Sequence, residues 1–245
     1  ESIKAMVENT HPKLPVMLSD CTDPYQPLER EFNLTRKCLE ALVANGFSIL
    51  IVTKSDLVTR DVEILSQARS VVSMTITTLD EELAKLIEPN APHPKRRIKA
   101  LEYLVKKGVT TTARVDPIIP GLNDCEEDFK LLISTLCSVG VKQVTISTLK
   151  PVKGFFSRME SVQPSLSVRL REAYINGQWI MGYKYLPQQV RLSMMRKFMP
   201  TVKKHGLSFA SCREGYPQLN TSVCDGTSFC LSQTELTHYI KNHLG

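Results

Sequence analysis

The chain has 245 residues, of which 42% are hydrophobic and 23% are charged, a composition typical of a globular protein and not of a disordered one. Lysine and arginine total 31 against 25 aspartates and glutamates, and this net charge of +6 permits a nucleic-acid partner without requiring one. No apolar stretch reaches the roughly 18 residues that a membrane span requires, and the first residues lack the apolar centre of a signal peptide. We therefore expect a cytoplasmic protein without a membrane partner.

Short apolar runs alternate with helical patterns along the first part of the chain. The predicted strands are residues 16–20, 48–53, 71–77, 109–117 and 143–149. The predicted helices are residues 32–44, 60–68, 81–86, 94–107 and 126–139. The helix at 94–107 places Ile98, Leu101 and Leu104 at helical spacing, as a helix that covers a sheet does. This alternation predicts an α/β fold with a parallel sheet and right-handed crossovers.

The alternation stops after Leu149. Residues 151–186 hold several prolines and glycines and the only tryptophan, Trp179, and they predict an irregular connection. Further elements are predicted at 168–174, 187–204, 207–210 and 233–243, of which only 207–210 is a strand. We therefore divide the chain into a partial barrel core at 1–150 and an irregular, helical extension at 151–245 that completes the barrel.

Polar residues follow four successive predicted strands. They lie at 20–26, 53–55 and 75–80, with Arg114 and Asp116 after the fourth strand. The carboxyl ends of parallel strands meet at one edge of a sheet, and in β/α barrels that edge carries the chemistry. Ordinary loop polarity explains any one of these segments, but the four together predict a shared site at one rim.

The chain has seven cysteines and no CxxC pair, which argues against a secreted disulfide framework, a zinc knuckle and a thioredoxin-type motif. Cys38 and Cys137 lie in apolar helical patterns and are interpreted as core residues. Cys212, Cys224 and Cys230 are separated by 11 and 5 residues, a spacing that does not predict metal binding.

Seven short segments occur in order within about residues 14–150. They are TDPYQPLE at 22–29, LTR at 34–36, IVTKS at 51–55, TRD at 59–61, ITTLD at 76–80, EPNAP at 88–92 and PIIPGLND at 117–124. Together they resemble the radical S-adenosylmethionine (radical SAM) superfamily, and more narrowly its spore photoproduct lyase and DNA repair photolyase group. The C-terminal third resembles this group only loosely, through CDG at 224–226.

The resemblance implies a partial (β/α)6 TIM-barrel-like fold and a 4Fe–4S cluster. It also implies reductive cleavage of S-adenosylmethionine to a 5′-deoxyadenosyl radical, which abstracts hydrogen from a substrate. A DNA lesion is the implied substrate, and ferredoxin or flavodoxin is the implied kind of electron donor. A protein or small-molecule substrate, and a non-catalytic binding module that uses the rim, are the alternatives.

The CxxxCxxC motif that holds the cluster in this family does not occur in the sequence. Cysteine thiolates are the usual ligands of such a cluster, so we expect this chain alone not to bind one. Two explanations stay open: the sequence is part of a longer enzyme with cluster ligands upstream of Glu1, or it is a homologue without a cluster. The family-like rim segments favour the first. Because the first family strand and its cluster loop are not recognised, we expect the strand at 16–20 to form an open edge of the barrel.

The resemblance also implies roles for individual residues after the first two strands. Asp23, Tyr25 and Gln26 would contact the methionyl amino group of the cofactor, and a plain Asp-Pro turn is the alternative for Asp23. Lys54 would pair with the methionyl carboxylate, with a surface lysine as the alternative. Cys21 would return a hydrogen atom to a product radical, with a small buried thiol at a strand end as the alternative.

Further residues are implied along the following strands. Thr75 and Thr77 would face the ribose, although β-propensity alone explains threonines in a strand. Arg97 would reach a carboxylate from its helix, or would belong to a solvated basic face. Asp116 lies in the segment 115–119, whose backbone would contact the adenine.

The order of these residues predicts a single cofactor pocket. Asp23, Lys54 and Thr75 end three successive predicted strands, and neighbouring strands lie about 4.8 Å apart. We therefore expect one pocket to touch at least two of them together with the Asp116 segment.

Overall fold

A parallel sheet forms the centre of the structure. The computed structural model describes residues 8, 13–18, 21–232 and 235. The strands are β1 Val16–Leu18, β2 Ile49–Thr53, β3 Ser70–Thr75, β4 Thr110–Ile118, β5 Gln143–Thr148, β6 Trp179–Ile180, β7 Tyr183–Lys184 and β8 Ser208–Ser211. Six of them form a sheet in the order β1-β2-β3-β4-β5-β8, in which every pair is parallel, while β6 and β7 form an antiparallel hairpin.

The predicted α/β fold with a parallel sheet is confirmed, and the sheet is open. Within the described part of the chain, β1 pairs only with β2 and β8 only with β5, so the sheet keeps two edges. The edge predicted at 16–20 is confirmed for Val16–Leu18, whereas residues 19 and 20 lie outside the described residues. The strand predicted at 207–210 is present as β8.

Helices connect the strands and cover one face of the sheet. They are α1 Glu29–Phe32, α2 Leu34–Ala44, α3 Val62–Leu65, α4 Glu81–Ile87, α5 Pro94–Lys106, α6 Glu126–Ser138, α7 Phe155–Val162, α8 Pro164–Ala173 and α9 Gln188–Lys204. Short 3₁₀ helices lie at Asp56–Asp61, Pro217–Leu219 and Thr227–Phe229.

Two of the predicted helices differ from the sequence interpretation. The helix predicted at 32–44 is divided between α1 and α2 at Asn33, whose backbone is left-handed with a φ of 53°. Asparagine adopts this conformation more readily than most residues. In place of the helix predicted at 60–68, the structure has a 3₁₀ helix at Asp56–Asp61 followed by the four-residue α3. The helical segment begins earlier than predicted because the side chain of Ser55 caps it by accepting from the backbone N of Leu57.

The C-terminal third contributes α7, α8, α9 and β8 to the same structure. The helix predicted near 168–174 begins earlier, at Pro164, a position in the first turn that suits proline. The helix predicted at 187–204 is present as α9, and the one at 233–243 lies outside the described residues apart from Glu235. Among the residues described, no helix has both the length and the apolar character that crossing a membrane requires.

The two faces of the sheet differ in their chemistry. Strand residues on the helix-covered face, such as Ile51, Met74 and Ile146, are buried in the main apolar core. Strand alternation places a polar set on the opposite face, termed the inner face. Its buried members include Ser73, Thr75, Thr112, Arg114, Gln143, Thr145 and Ser147. Such a lining is typical of the interior of a barrel that holds a ligand.

The segment 222–230 covers part of the inner face. The hydroxyl of Thr145 donates to the carbonyl of Cys224 at 2.9 Å. Gly226 lies so close to the sheet that a Cβ there would be 3.0 Å from Cγ1 of Val71, and its φ of +93° favours glycine. The CDG stretch is therefore anchored directly on the inner face.

Candidate functional site

A cleft of about 620 Å³ opens at the carboxyl edge of the sheet. This rim cleft lies between the loop after β1, the end of β2 and the loop before α5, and its lining includes Asp23, Tyr25, Gln26, Lys54, Glu88 and His93. Ligand pockets commonly measure about 300–1,000 Å³. The rim cleft therefore has room for a small cofactor, and four of the predicted site residues line it.

Asp23 fixes the loop after β1 to the end of β2. Its carboxylate accepts hydrogen bonds from the backbone N of Tyr25 at 2.9 Å, the hydroxyl of Thr53 at 2.7 Å and the backbone N of Lys54 at 2.7 Å. Both oxygens are thus used within the protein, as the Asp-Pro turn alternative requires. A contact from Asp23 to the methionyl amino group stays a prediction.

A buried ionic network lies next to the rim cleft. The carboxylate of Asp61, which is 0% exposed, accepts from Arg36 at 2.8 Å, from Arg60 at 2.8 Å and from the hydroxyl of Tyr25 at 3.1 Å. Arg60 also pairs with Glu29 at 2.8 Å. Burial, followed by the negative charge of Asp61, raises the pKa of Tyr25 far above its usual value. Its hydroxyl therefore stays protonated and is already committed to Asp61.

The same network predicts an acid dependence of stability. Burial opposes the ionisation of Glu29, but hydrogen bonds from Arg60 and from the backbone N–H groups of Thr35 and Arg36 outweigh it and hold its pKa below the usual 4.5. A group with a lowered folded pKa stabilises the fold above its unfolded pKa, and that contribution is lost as the pH falls through the folded value. We expect Glu29→Gln to lower the free energy of unfolding at neutral pH, and the difference from wild type to shrink below about pH 4.

Denaturant unfolding at about pH 7, 5 and 3.5 measures this difference. Glu31→Gln provides the control, because Glu31 is an exposed carboxylate in the same helix. A Glu29→Gln difference from wild type that stayed constant across the three pH values would contradict the expectation.

Lys54 and Arg97 share one carboxylate. The Nζ of Lys54 lies 3.0 Å and the Nη1 of Arg97 lies 2.7 Å from oxygens of Glu88. Arg97 is 1% exposed and also donates to the backbone carbonyls of Thr75 at 2.8 Å and Pro92 at 2.6 Å. It therefore links α5 to the end of β3 and is not part of a solvated basic face. The side chain of Lys54 is 40% exposed, and its role toward a cofactor carboxylate stays a prediction.

Thr75 and Asp116 lie on the inner face, away from the rim cleft. Thr75 pairs in register with Arg114, and Arg114 holds Asp116 at 2.8 Å. The rim cleft contains Asp23 and Lys54 but neither Thr75 nor Asp116, so the single pocket expected from the sequence is corrected to two neighbouring surfaces. The reason is strand alternation, which turns Thr75 toward the inner face, whereas Asp23 belongs to a loop.

Cys21 and Thr77 complete the set of predicted residues. Cys21 is exposed, and its alternative interpretation as a small buried thiol is therefore wrong. Thr77 is 2% exposed, and its hydroxyl has no hydrogen-bond partner among the described residues, whereas its carbonyl accepts from Asn123 at 3.0 Å. Thr77 faces a small cavity beside Asn123 and Phe129 and does not line the rim cleft, so its contact with the ribose stays a prediction.

Two contacts were missed by the sequence interpretation. The thiols of Cys212 and Cys224 lie close enough to shift each other's pKa, and Lys150 and Glu214 form a buried ion pair at 2.6 Å. Cys212 follows the strand predicted at 207–210, and Cys224 begins the CDG stretch. No local pattern in the sequence indicates that these two cysteines lie close together. Nothing in the sequence distinguishes Glu214 from a surface glutamate.

The described residues do not form a binding site for a 4Fe–4S cluster. No three His, Cys, Asp or Glu side chains among them converge as metal ligands would. Cys212 and Cys224 instead lie beside Arg114, whose positive charge opposes a bound cation. A 4Fe–4S cluster therefore does not fit the part of the chain that the structure describes.

Comparison with known proteins decides the family. A sequence profile of the radical SAM superfamily matches residues 1–133, which is more than half of the chain. The chain belongs to the radical SAM superfamily. The superfamily implies an enzymatic activity, with S-adenosylmethionine and a 4Fe–4S cluster as its cofactors.

Several curated proteins resemble this radical SAM chain. An uncharacterized protein of Methanocaldococcus jannaschii is 37% identical over 127 residues, covering 51% of this chain and 49% of the relative. An uncharacterized protein of Acidianus two-tailed virus is 37% identical over 134 residues, covering 53% and 44%. An uncharacterized protein of Mycobacterium bovis is 28% identical over 201 residues, covering 79% and 57%. The chain thus spans about half the length of these curated relatives.

Solved structures share the fold. Spore photoproduct lyase complexed with dinucleoside spore photoproduct superposes with a TM-score of 0.66 at 14% identity, over 85% of this chain and 63% of that one. SuiB of Streptococcus suis bound to S-adenosylmethionine superposes with a TM-score of 0.55 at 16% identity, over 85% and 42%. These likenesses confirm the predicted partial-barrel fold.

Proposed function

We propose that this radical SAM chain acts on a lesion in DNA with photolyase-like chemistry. The observation that carries the proposal is an exposed apolar hairpin, residues 179–184, at the carboxyl edge of the sheet. The fold shared with spore photoproduct lyase, which has been solved with a dinucleoside photoproduct, supports the same substrate class.

The tip of the hairpin is unusually apolar for an exposed surface. The exposed fractions are 53% for Trp179, 40% for Ile180 and 94% for Met181. Met181 has a positive φ of 49° at the turn. Contiguous exposed apolar side chains generally mark a surface that contacts a partner.

The hairpin is fixed at the carboxyl edge of the sheet, next to β5 and β8. The backbone N of Lys184 donates to the carbonyl of Pro151 at 2.7 Å, and Val152 forms a bridge with Tyr183. The guanidinium of Arg213, which follows β8 closely, lies 5.3 Å from the centre of the Tyr183 ring. The hairpin is thus attached where β5 and β8 end, at the same edge of the sheet as the rim cleft.

Basic side chains accompany the apolar tip. Lys153 and Arg213 are exposed next to residues that hold the hairpin, and the Nζ of Lys184 lies 5.9 Å from the ring centre of Trp179. Proteins unstack DNA by inserting apolar side chains between base steps while basic side chains contact phosphates. A lesion must leave the base stack before it can enter a barrel.

Two side chains that line the rim cleft support a role in binding the methionyl end of S-adenosylmethionine. The ammonium group of Lys54 can pair with a carboxylate, and the side-chain carbonyl of the exposed Gln26 can accept from an amino group. S-adenosylmethionine supplies radical chemistry only together with a 4Fe–4S cluster, whose ligands are not among the described residues. The residues of this chain bind S-adenosylmethionine and orient it.

Binding of a fluorescently labelled DNA duplex with one thymine–thymine mismatch tests the proposal, because a mismatched base leaves the stack easily. We expect the double variant Trp179→Ala, Met181→Ala to weaken binding about tenfold, since stacking on an inserted side chain contributes roughly 1–3 kcal/mol per base. Val162→Ala is the control, because this apolar side chain is 74% exposed and lies on α7 instead of the hairpin.

Anisotropy titrations over a range of salt concentrations give the affinities and the number of phosphate contacts. Equal affinities of the double variant and the control, or no duplex binding by wild type at low salt, would contradict the proposal. Either result would favour a protein or small-molecule substrate.

A further inference from the structure

We propose that Cys212 and Cys224 form a redox-active dithiol on the inner face of the sheet, which reduces a disulfide and closes a disulfide of its own. This site is separate from the rim cleft, and it adjoins the base of the apolar hairpin through Arg213. Its activity does not depend on the function proposed above.

The sheet brings the two cysteines together. Cys212 continues the ladder beyond β8, since its backbone N donates to the carbonyl of Ile146 at 3.0 Å. By alternation its side chain shares a face with Ala210, whose register partner is Thr145. The hydroxyl of Thr145 binds the carbonyl of Cys224 at 2.9 Å. Both cysteines therefore lie on the inner face next to β5, close enough that each thiol acts on the protonation of the other.

Arg114 supplies positive charge at the same place. Its Nη1 donates to the carbonyl of Cys224 at 3.4 Å, and its Nη2 is held by Asp116 at 2.8 Å. Its positive charge also lowers the pKa of Cys212. A thiol next to a guanidinium loses its proton more easily than a free thiol, and the thiolate is the form that attacks disulfides.

The two thiols differ in how easily they lose their protons. The neighbouring thiol of Cys224 lowers the pKa of Cys212 below its usual value, with burial opposing and Arg114 adding to the effect. The neighbouring Cys212 and burial raise the pKa of Cys224 far above its usual value. The exposed Arg213 also faces the pair, and Asp116 and Asp225 bring the negative charge. Cys212 is thus the attacking thiolate, and Cys224 is the thiol that follows.

The other cysteines near this surface lack such an arrangement. Cys230 is 0% exposed, and burial raises its pKa to about 12, so it is inert at neutral pH. Cys212 and Cys224 are both partly exposed, which leaves them within reach of a small reagent.

The reaction balances in two steps of thiol–disulfide exchange. The Cys212 thiolate attacks one sulfur of a disulfide, which forms a mixed disulfide and releases the other sulfur as a thiolate. Cys224 then gives up its proton and attacks the sulfur of Cys212, which closes the intramolecular disulfide and releases the second thiolate. The two electrons of the dithiol reduce the incoming disulfide to two thiols. Because the thiolate stabilises the reduced state, the pair rests as a dithiol.

The test uses the aromatic disulfide DTNB on the full chain, in a background carrying Cys21→Ser and Cys125→Ser, which removes the two exposed cysteines. We expect fast release of two thionitrobenzoate ions with no label left on the pair. Cys224→Ser should release one ion and keep one label, because the second step is lost. Cys212→Ser should lose the fast phase.

Trypsin digestion identifies the product. Cleavage after Lys204, Arg213 and Lys241 separates Cys212, in peptide 205–213, from Cys224, in peptide 214–241. We expect the two peptides to be linked by a disulfide. Fragmentation in the mass spectrometer that places this link at Cys224 supports the proposal. Two separately labelled cysteines, a link through Cys230, or equal rates for wild type and Cys212→Ser would overturn it.

Arg114→Gln gives a second readout that does not depend on closure. We expect the pH midpoint of Cys212 alkylation by iodoacetamide to rise by about one unit, as the loss of one adjacent positive charge predicts. An unchanged midpoint in a folded variant would count against the assigned role of Arg114 and against Cys212 as the activated thiol.

Discussion

Glu214→Ala is expected to lower the free energy of unfolding by about 3–5 kcal/mol, because it leaves a buried positive charge without its partner. The carboxylate of Glu214 is 0% exposed and lies 2.6 Å from the Nζ of Lys150, whose side chain is 4% exposed. It also accepts from the backbone N of Thr148 at 2.7 Å and lies 3.9 Å from Arg191. The substitution leaves Lys150 without its charge partner in a site that water does not reach.

Denaturant unfolding measures the effect, with Glu160→Ala as the control. Glu160 pairs with Arg171 at 2.7 Å, but its side chain is 59% exposed, and an exposed ion pair contributes about 1 kcal/mol or less. The double variant Glu214→Leu, Lys150→Met should be more stable than Glu214→Ala, because it removes both charges together. A Glu214→Ala variant as stable as the control would show that Lys150 finds water or another partner.

Asp61→Asn is expected to lower the free energy of unfolding by about 3 kcal/mol. Asp61 is 0% exposed and is the common acceptor for Arg36, Arg60 and the hydroxyl of Tyr25. An amide removes the negative charge that balances the two guanidinium groups, and its NH₂ group cannot accept their hydrogen bonds. Because Tyr25 lines the rim cleft, we also expect the loop after β1 to be less ordered in this variant.

Glu40→Gln is the matched control for Asp61→Asn. Glu40 pairs with the same arginine, Arg36, at 3.1 Å, but its side chain is 53% exposed, so we expect a loss of about 0.5 kcal/mol or less. Hydrogen exchange of the amides at 21–28, compared between the two variants, tests the effect on the loop. Equal stability and equal exchange in both variants would contradict the assigned role of Asp61.

The amino-acid sequence by itself determined the sheet and its covering helices. Apolar runs of five or six residues predict buried strands, and the spacing of Leu101 and Leu104 predicts the buried stripe of α5, in which both are 0% exposed. These features depend on the spacing of apolar residues within one strand or helix, so the sequence of that segment is enough to predict them. The ordered rim segments likewise indicated the radical SAM superfamily without any knowledge of their contacts.

The tertiary structure decided which of the rim residues meet. Asp23 and Thr75 follow the first and third predicted strands, yet Asp23 closes a loop at the rim cleft while Thr75 points to the inner face. Arg97 lies in a basic run that reads as a solvated face, yet it is 1% exposed because Glu88 and two carbonyls surround it. Neither outcome follows from periodicity, because each depends on which segment packs against the residue.

The longest-range contacts were decided only by the folded chain. Glu214 meets Lys150 across 64 positions of sequence, and Cys224 meets the hydroxyl of Thr145 across 79. Each contact exists because β8 adds to the sheet next to β5 and the segment 222–230 returns over the inner face. A local pattern specifies the secondary structure of a segment. The partner of a buried charge or thiol depends instead on which strands are neighbours in the folded sheet.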